Sequence, residues 1–152
     1  MRTLENGRSG LTTRHGFTLI ELVVVMTTIA ILSTMAVPKL SGALEQARVA
    51  GAIGDIKAIE REIDEFELIM NRMPSSLAEV NRSAMRDPWG QAYGYARPGT
   101  RTDQFGVVIN TDYDLYSIGS DGGTNASLTS ATARDDVVRG NNGGFVGLAS
   151  DY

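Results

Sequence analysis

Residues 17–37 read FTLIELVVVMTTIAILSTMAV. Whether this run is a removable signal or the first half of a retained helix decides the fold. It is about the length of helix that crosses the hydrocarbon core of a bilayer, and it carries a single charge, Glu21. A carboxylate near the middle of such a core costs about 2.5–3.5 kcal/mol on insertion scales, so an ionisable group there is expected to have a function and a partner.

The sixteen residues before the run, MRTLENGRSGLTTRHG, carry Arg2, Arg8 and Arg14 against Glu5. A basic flank ahead of an apolar segment holds that flank in the cytoplasm, so the rest of the chain is expected to cross to the other side. A secretory signal would end in a small-residue A-x-A-like site after its apolar region. Residues 33–40, STMAVPKL, match that poorly, and the apolar run continues into a helical pattern.

That pattern occupies residues 39–73. Val49, Ile53, Ile56, Ile59, Ile63, Phe66, Met70 and Met73 recur at three- and four-residue spacings and fall on one stripe of a helix. Asp55, Lys57, Glu60, Arg61, Asp64 and Glu65 mark the charged face, with Arg61 and Glu65 spaced for an i,i+4 pair. A helix continuous over 17–73 would be on the order of 85 Å long, a membrane stalk followed by the spine of a soluble domain. Pro38 lacks an N–H and crowds the carbonyl of Thr34, so a kink is expected there. Gly42, Gly51 and Gly54 weaken the same stretch.

Met73-Pro74-Ser75-Ser76 ends the long helix, and either serine could cap a short helix over 77–80. From Asp87 the chemistry changes. DPWGQAYGYARPGT is turn sequence with alternating aromatics, and QFGVVINT and DLYSIG read as short strands of an antiparallel meander. The apolar face of that sheet needs cover, and the Ile/Phe/Met stripe supplies it, giving an α+β fold. Residues 120–152 are rich in Gly, Ser, Thr, Asn and Asp and read as an irregular loop. Val137, Val138, Phe145, Val146 and Leu148 argue that it returns to the core. The chain has no cysteine, so a cation is the simplest staple for such a loop.

The formal net charge is −4, with no basic cluster beyond the first sixteen residues, which gives nucleic-acid binding little electrostatic support. Catalytic patterns are scarce: the sole histidine is His15, and GxSxG, HExxH and P-loop patterns are missing. No enzymatic activity is expected.

Gly16, then Phe17-Thr18-Leu19-Ile20-Glu21-Leu22, the apolar stretch and Pro38 together resemble the N-terminus of type IV pilin-like proteins. Asp87-Pro88-Trp89-Gly90, Tyr93, Tyr95, Pro98-Gly99, and the run Tyr113-Asp114-Leu115-Tyr116-Ser117-Ile118-Gly119-Ser120-Asp121-Gly122 are similar to the major pseudopilins of type II secretion systems. The resemblance implies a long N-terminal helix packed on a small antiparallel sheet. It also implies cleavage between Gly16 and Phe17 by a prepilin peptidase and N-methylation of the new amine at Phe17. Loss of the leader, net +2, would leave a mature chain of −6.

On this reading residues 1–16 are a leader, 17–40 the transmembrane and assembly half of the helix, and 41–152 a periplasmic α+β domain. The implied partners are identical subunits in a helical filament, minor pseudopilins, the prepilin peptidase, an inner-membrane assembly platform and the inner membrane itself. The resemblance further implies structural calcium bound by Asp121 and Asp136, with carbonyls of Ile118, Ser120 and Gly123, and with Asp135 as the alternative to Asp136. Calcium takes six to eight oxygen ligands, which suits such a mixture. Glu21 is expected to pair with the Phe17 amine of a neighbouring subunit and to set the register of assembly. A type IV pilus pilin, major or minor, serving adhesion, motility or DNA uptake, is the alternative reading.

Overall fold

In a computed structural model, which describes residues 16–152, the backbone is helical from Leu19 to Met70 and runs through Pro38 without a break (α1). Residues 1–15, most of the expected leader, lie outside the described residues, as do the side chains of 35–38. Contacts divide the chain into two units, the first ending at Ser41 and the second running Gly42–Tyr152.

In the first unit the apolar side chains of α1 are open to the surroundings, among them Leu19 at 81% exposure and Leu32 at 66%. The helix is long and apolar enough to cross a membrane. Its hydroxyls are internally satisfied. Thr27 donates to the carbonyls of Val23 and Val24, Thr28 to Val25, Ser33 to Ile29 and Thr34 to Ile31, at 2.7–3.0 Å. A polar side chain bonded back to its own helix leaves nothing for the hydrocarbon to solvate.

The second unit packs α1 on a four-stranded antiparallel meander. Its strands are β1 (Gly94–Ala96), β2 (Asp114–Ser117), β3 (Val137–Gly140) and β4 (Phe145–Leu148), hydrogen-bonded in chain order. Ala52, Ile56, Ile59 and Ile63 are fully buried against Tyr93, Tyr113, Leu115 and Val137. The expected stripe holds in its middle and frays at its C-terminal end. Phe66 is half-buried with the Arg72 guanidinium 5.0 Å above its ring, and Met70 is exposed. Asn71, with φ 52°, takes the left-handed conformation that commonly closes a helix.

Several details differ from the sequence reading. Residues 77–81 form turns rather than a helix, and the cap is inverted: the Glu79 carboxylate accepts from the Ser75 N–H at 2.6 Å. QFGVVINT is not a strand of the sheet. It is a turn around Asp103, whose carboxylate accepts from the N–H of Phe105 and Val107, with a single bridge between Thr102 and Val108. Phe105, Val107 and Val108 point outward, and of the apolar residues that suggested a strand only Ile109 is buried in the core. The polar C-terminal stretch does return to the core, and it does so as β3 and β4, half of the sheet. Positive φ at Asn141, Asn142 and Gly143 turns one strand into the other.

Among the described residues, the ion pairs of α1 join Glu45 to Arg48, Glu62 to Arg82 and Glu60 to Arg139, rather than Arg61 to Glu65. Asp55 and Glu60, read from sequence as part of the charged face, lie at the edge of the core. Asp55 accepts from the Tyr93 hydroxyl at 2.8 Å and Glu60 from Arg139.

Candidate functional site

Thr18 and Glu21 close the N-terminus of α1 on itself. The Glu21 carboxylate accepts from the Thr18 N–H at 2.9 Å and from its hydroxyl at 3.0 Å, while the Thr18 hydroxyl accepts from the Glu21 N–H at 3.3 Å. This is a reciprocal capping box, in which the free donors of the first turn are satisfied by a Thr and by a Glu three residues on. The pattern T-L-I-E at 18–21 was legible in the sequence, and it explains how a carboxylate is tolerated beside so much hydrocarbon. Phe17 and Gly16 lie just outside the cap, both exposed.

In the second unit, buried polar side chains fix the strands and loops. Asp87 accepts from the N–H groups of Trp89 and Gln91 at 3.1 and 2.8 Å and from the Ser117 hydroxyl at 2.5 Å, which ties the DPWG turn to the end of β2. The Trp89 indole reaches α1, donating to Glu45 at 3.1 Å. Asp114, 1% exposed, accepts from the N–H groups of Thr100 and Arg101 and from the Asn110 amide. Arg139 of β3, 4% exposed, donates to Glu60 of α1 at 2.7 Å and to both oxygens of Asp112 at 2.9 and 2.8 Å, with its guanidinium 4.0 Å from the Tyr113 ring. Burial pulls the Arg139 pKa down, but the two carboxylates outweigh it and hold the side chain firmly charged.

The loop between β2 and β3 holds the expected ligands, and it distributes them unevenly. Asp135 accepts from the Ser120 N–H at 2.7 Å, from its hydroxyl at 2.9 Å and from the Asp121 N–H at 3.0 Å, so the SIGSDG segment folds over the Asp135 carboxylate. Gly119, at φ 67°, allows this: a Cβ there would collide with Asp135. Asp121 is exposed, and one of its oxygens accepts from the Gly123 N–H at 2.7 Å. Ile118 is half-buried at the start of the loop.

Asp136 turns the other way, into the interior, where it pairs with Arg101 and accepts from the Thr124 hydroxyl at 2.6 Å. Burial pushes the Asp136 carboxyl up to about 6, against the pull of Thr124 and Arg101. Among the described residues, no three His, Cys, Asp or Glu side chains are grouped to hold a metal ion. Of the expected ligands, Asp121 and Asp135 share the outer side of the loop, while Asp136 is spent on Arg101 and Thr124 in the interior.

The family is carried by two matched segments. Residues 39–135 match the family model for type II secretion system (T2SS), protein G, and residues 11–37 match the prokaryotic N-terminal methylation motif. The chain is 32% identical to the type II secretion system core protein G of Pseudomonas aeruginosa over 130 residues, covering 72% of this chain and 85% of the relative. The chain belongs to the protein G family of type II secretion systems. The protein of the same name from Aeromonas hydrophila is 33% identical with the same coverage, and that of Escherichia coli K12 is 31% identical over 76% of this chain and 90% of the relative. No solved structure matches.

The protein G match stops at Asp135, so Asp136, β3 and β4 lie beyond it. Arg101 and Arg139, buried arginines of this protein G family member, were not legible as such. Each stands in a polar stretch that reads as solvated, and only the folded chain shows what encloses it.

Proposed function

We propose that this protein is the repeating structural subunit of a periplasmic pseudopilus that drives type II protein secretion. The observation that carries this reading is the first half of α1, an exposed apolar helix with one carboxylate, held in its first turn beside the Gly16-Phe17 junction. Such a helix can reside in a bilayer as a monomer and can bury the same apolar surface against copies of itself. The subunit would wait in the inner membrane with its C-terminal unit in the periplasm and leave the bilayer on assembly.

Cleavage after Gly16 by a prepilin peptidase, with methylation at Phe17, would place a cationic amine next to the Thr18–Glu21 cap. In a filament, the amine of a neighbouring subunit at similar depth would pair with Glu21. A matched pair offsets part of the desolvation that either charge alone would suffer. Glu21 thereby favours the axial offset at which the two meet. The relatives are named for secretion, which favours this reading over a pilus for adhesion, motility or DNA uptake. Identical subunits, minor pseudopilins and an inner-membrane assembly platform are the partners such a filament requires.

The test is Glu21→Val co-expressed with wild type at equal level. Peptide mass should show both chains beginning at Phe17 with one added methyl, and both should reside in the membrane. The variant should be depleted from sheared or cross-linked filaments. Incorporation of Glu21→Val at parity would refute the register role.

A further inference from the structure

We propose that the guanidinium of Arg101, and not a divalent cation, is the positive charge that closes the loop between β2 and β3 in this chain. The proposal concerns the C-terminal unit and is independent of the filament reading.

Arg101 is 4% exposed and Asp136 is fully buried. A single nitrogen, Nη2, shares its two N–H donors among three kinds of oxygen: the Asp136 carboxylate, the Thr124 hydroxyl at 2.5 Å and the Asn125 carbonyl at 2.9 Å. Carboxylate, hydroxyl and carbonyl oxygens gathered from one irregular loop are the ligands a hard cation would take. Here a side chain of the protein takes them.

Arg101 is held from both ends. Its guanidinium lies 4.0 Å from the Tyr116 ring of β2, and its own N–H donates to buried Asp114 at 2.9 Å. The loop is stitched to the next residue, Thr102, which donates to the Ala126 carbonyl at 2.8 Å and accepts from the Leu128 N–H at 3.0 Å. A planar guanidinium stacked on an aromatic ring and bonded to a carboxylate is a site for arginine in particular, since lysine offers neither the plane nor the fork.

The one argument for an ion is Asp136 Oδ1, which is buried without a hydrogen-bond partner. Arg101 Nε and Nη1 are buried and unpaired in the same place. The shortfall includes donors as well as an acceptor, so rotation of the pair into a bidentate fork supplies the missing bond, whereas a metal would leave the donors orphaned and set a second cation against the first. Asp135, the alternative ligand, has one oxygen, Oδ2, already accepting three hydrogen bonds from Ser120 and Asp121.

The experiment is thermal unfolding of the full chain in detergent, followed by Trp89 fluorescence, in excess EDTA and in excess CaCl2, with calcium binding measured by calorimetry. The wild-type midpoint should be the same in both solutions, with no stoichiometric calcium uptake. Arg101→Gln should lower the midpoint by on the order of 10 °C, and Arg101→Lys should recover only part of that loss. A wild-type midpoint raised by calcium, with about one ion bound per chain, would overturn the proposal. So would an Arg101→Gln chain as stable as wild type. If Arg101→Gln does not accumulate, the comparison of EDTA with calcium on the wild-type chain decides alone.

Discussion

Arg139 concentrates the chemistry that the composition disguises. It stands in β3 with its guanidinium between Glu60 of α1 and Asp112 of the preceding loop, and it is almost wholly buried. A buried charge network is costly to break from one side, because the remaining partners keep their desolvation and lose their compensation. Arg139→Ala should therefore lower unfolding stability by about 3–5 kcal/mol, measurable as a shift of the urea midpoint with unchanged slope. Glu21 is the opposite case. Its partner within the chain, Thr18, is three residues away and fits a known capping pattern, so it could be read from the sequence.

Among the elements, α1 was the most legible because its apolar residues repeat at helical spacing over many turns. That spacing named Ile56, Ile59 and Ile63 as core, and all three are fully buried. It also named Met70, which is exposed, because periodicity says which face a residue occupies and not how far the sheet extends beneath it. Ile59→Ala, at the centre of the contact, should cost about 2–5 kcal/mol, while Met70→Ala should stay within about 0.5 kcal/mol of wild type by the same urea titration. The strands were less legible. QFGVVINT has the apolar, β-branched content of a strand but is turned by Asp103, whereas VVRG and FVGL lie in a glycine- and asparagine-rich stretch that reads as loop. Strand identity depends on a pairing partner distant in sequence, and no local pattern records it.

Among the described residues, several carboxylates of the C-terminal unit are held below their ordinary pKa. Arg72 and the Ser75 N–H hold the Glu79 carboxyl down to about 2, and Arg82 lowers that of Glu62. Burial pushes the Asp112 carboxyl up, but Arg139 and the Tyr113 N–H bring it below its ordinary value, and the Ser120 and Asp121 donors do the same for Asp135 against its burial. Groups depressed on folding contribute stability that is present above their unfolded pKa and lost as pH falls through the folded one. Asp136, raised on folding, has the opposite sign: its contribution is fully present below its unfolded pKa and is lost as pH rises through about 6. The thermal midpoint should fall on acidification below about pH 4, where the depressed carboxylates take up protons. Asp112→Asn should begin lower at neutral pH and decline less steeply, since the group that titrates is gone.

The sequence by itself determined the apolar helix with its single carboxylate, the buried stripe of α1 and the α+β class. All of these follow from local composition and short-range periodicity. Only the tertiary structure decided which segments became strands, that Asp135 and Asp136 face opposite ways, and that Arg101 and Arg139 are interior. Burial of a charge is set by what folds over it, and here the partners come from as far as 79 positions away along the chain.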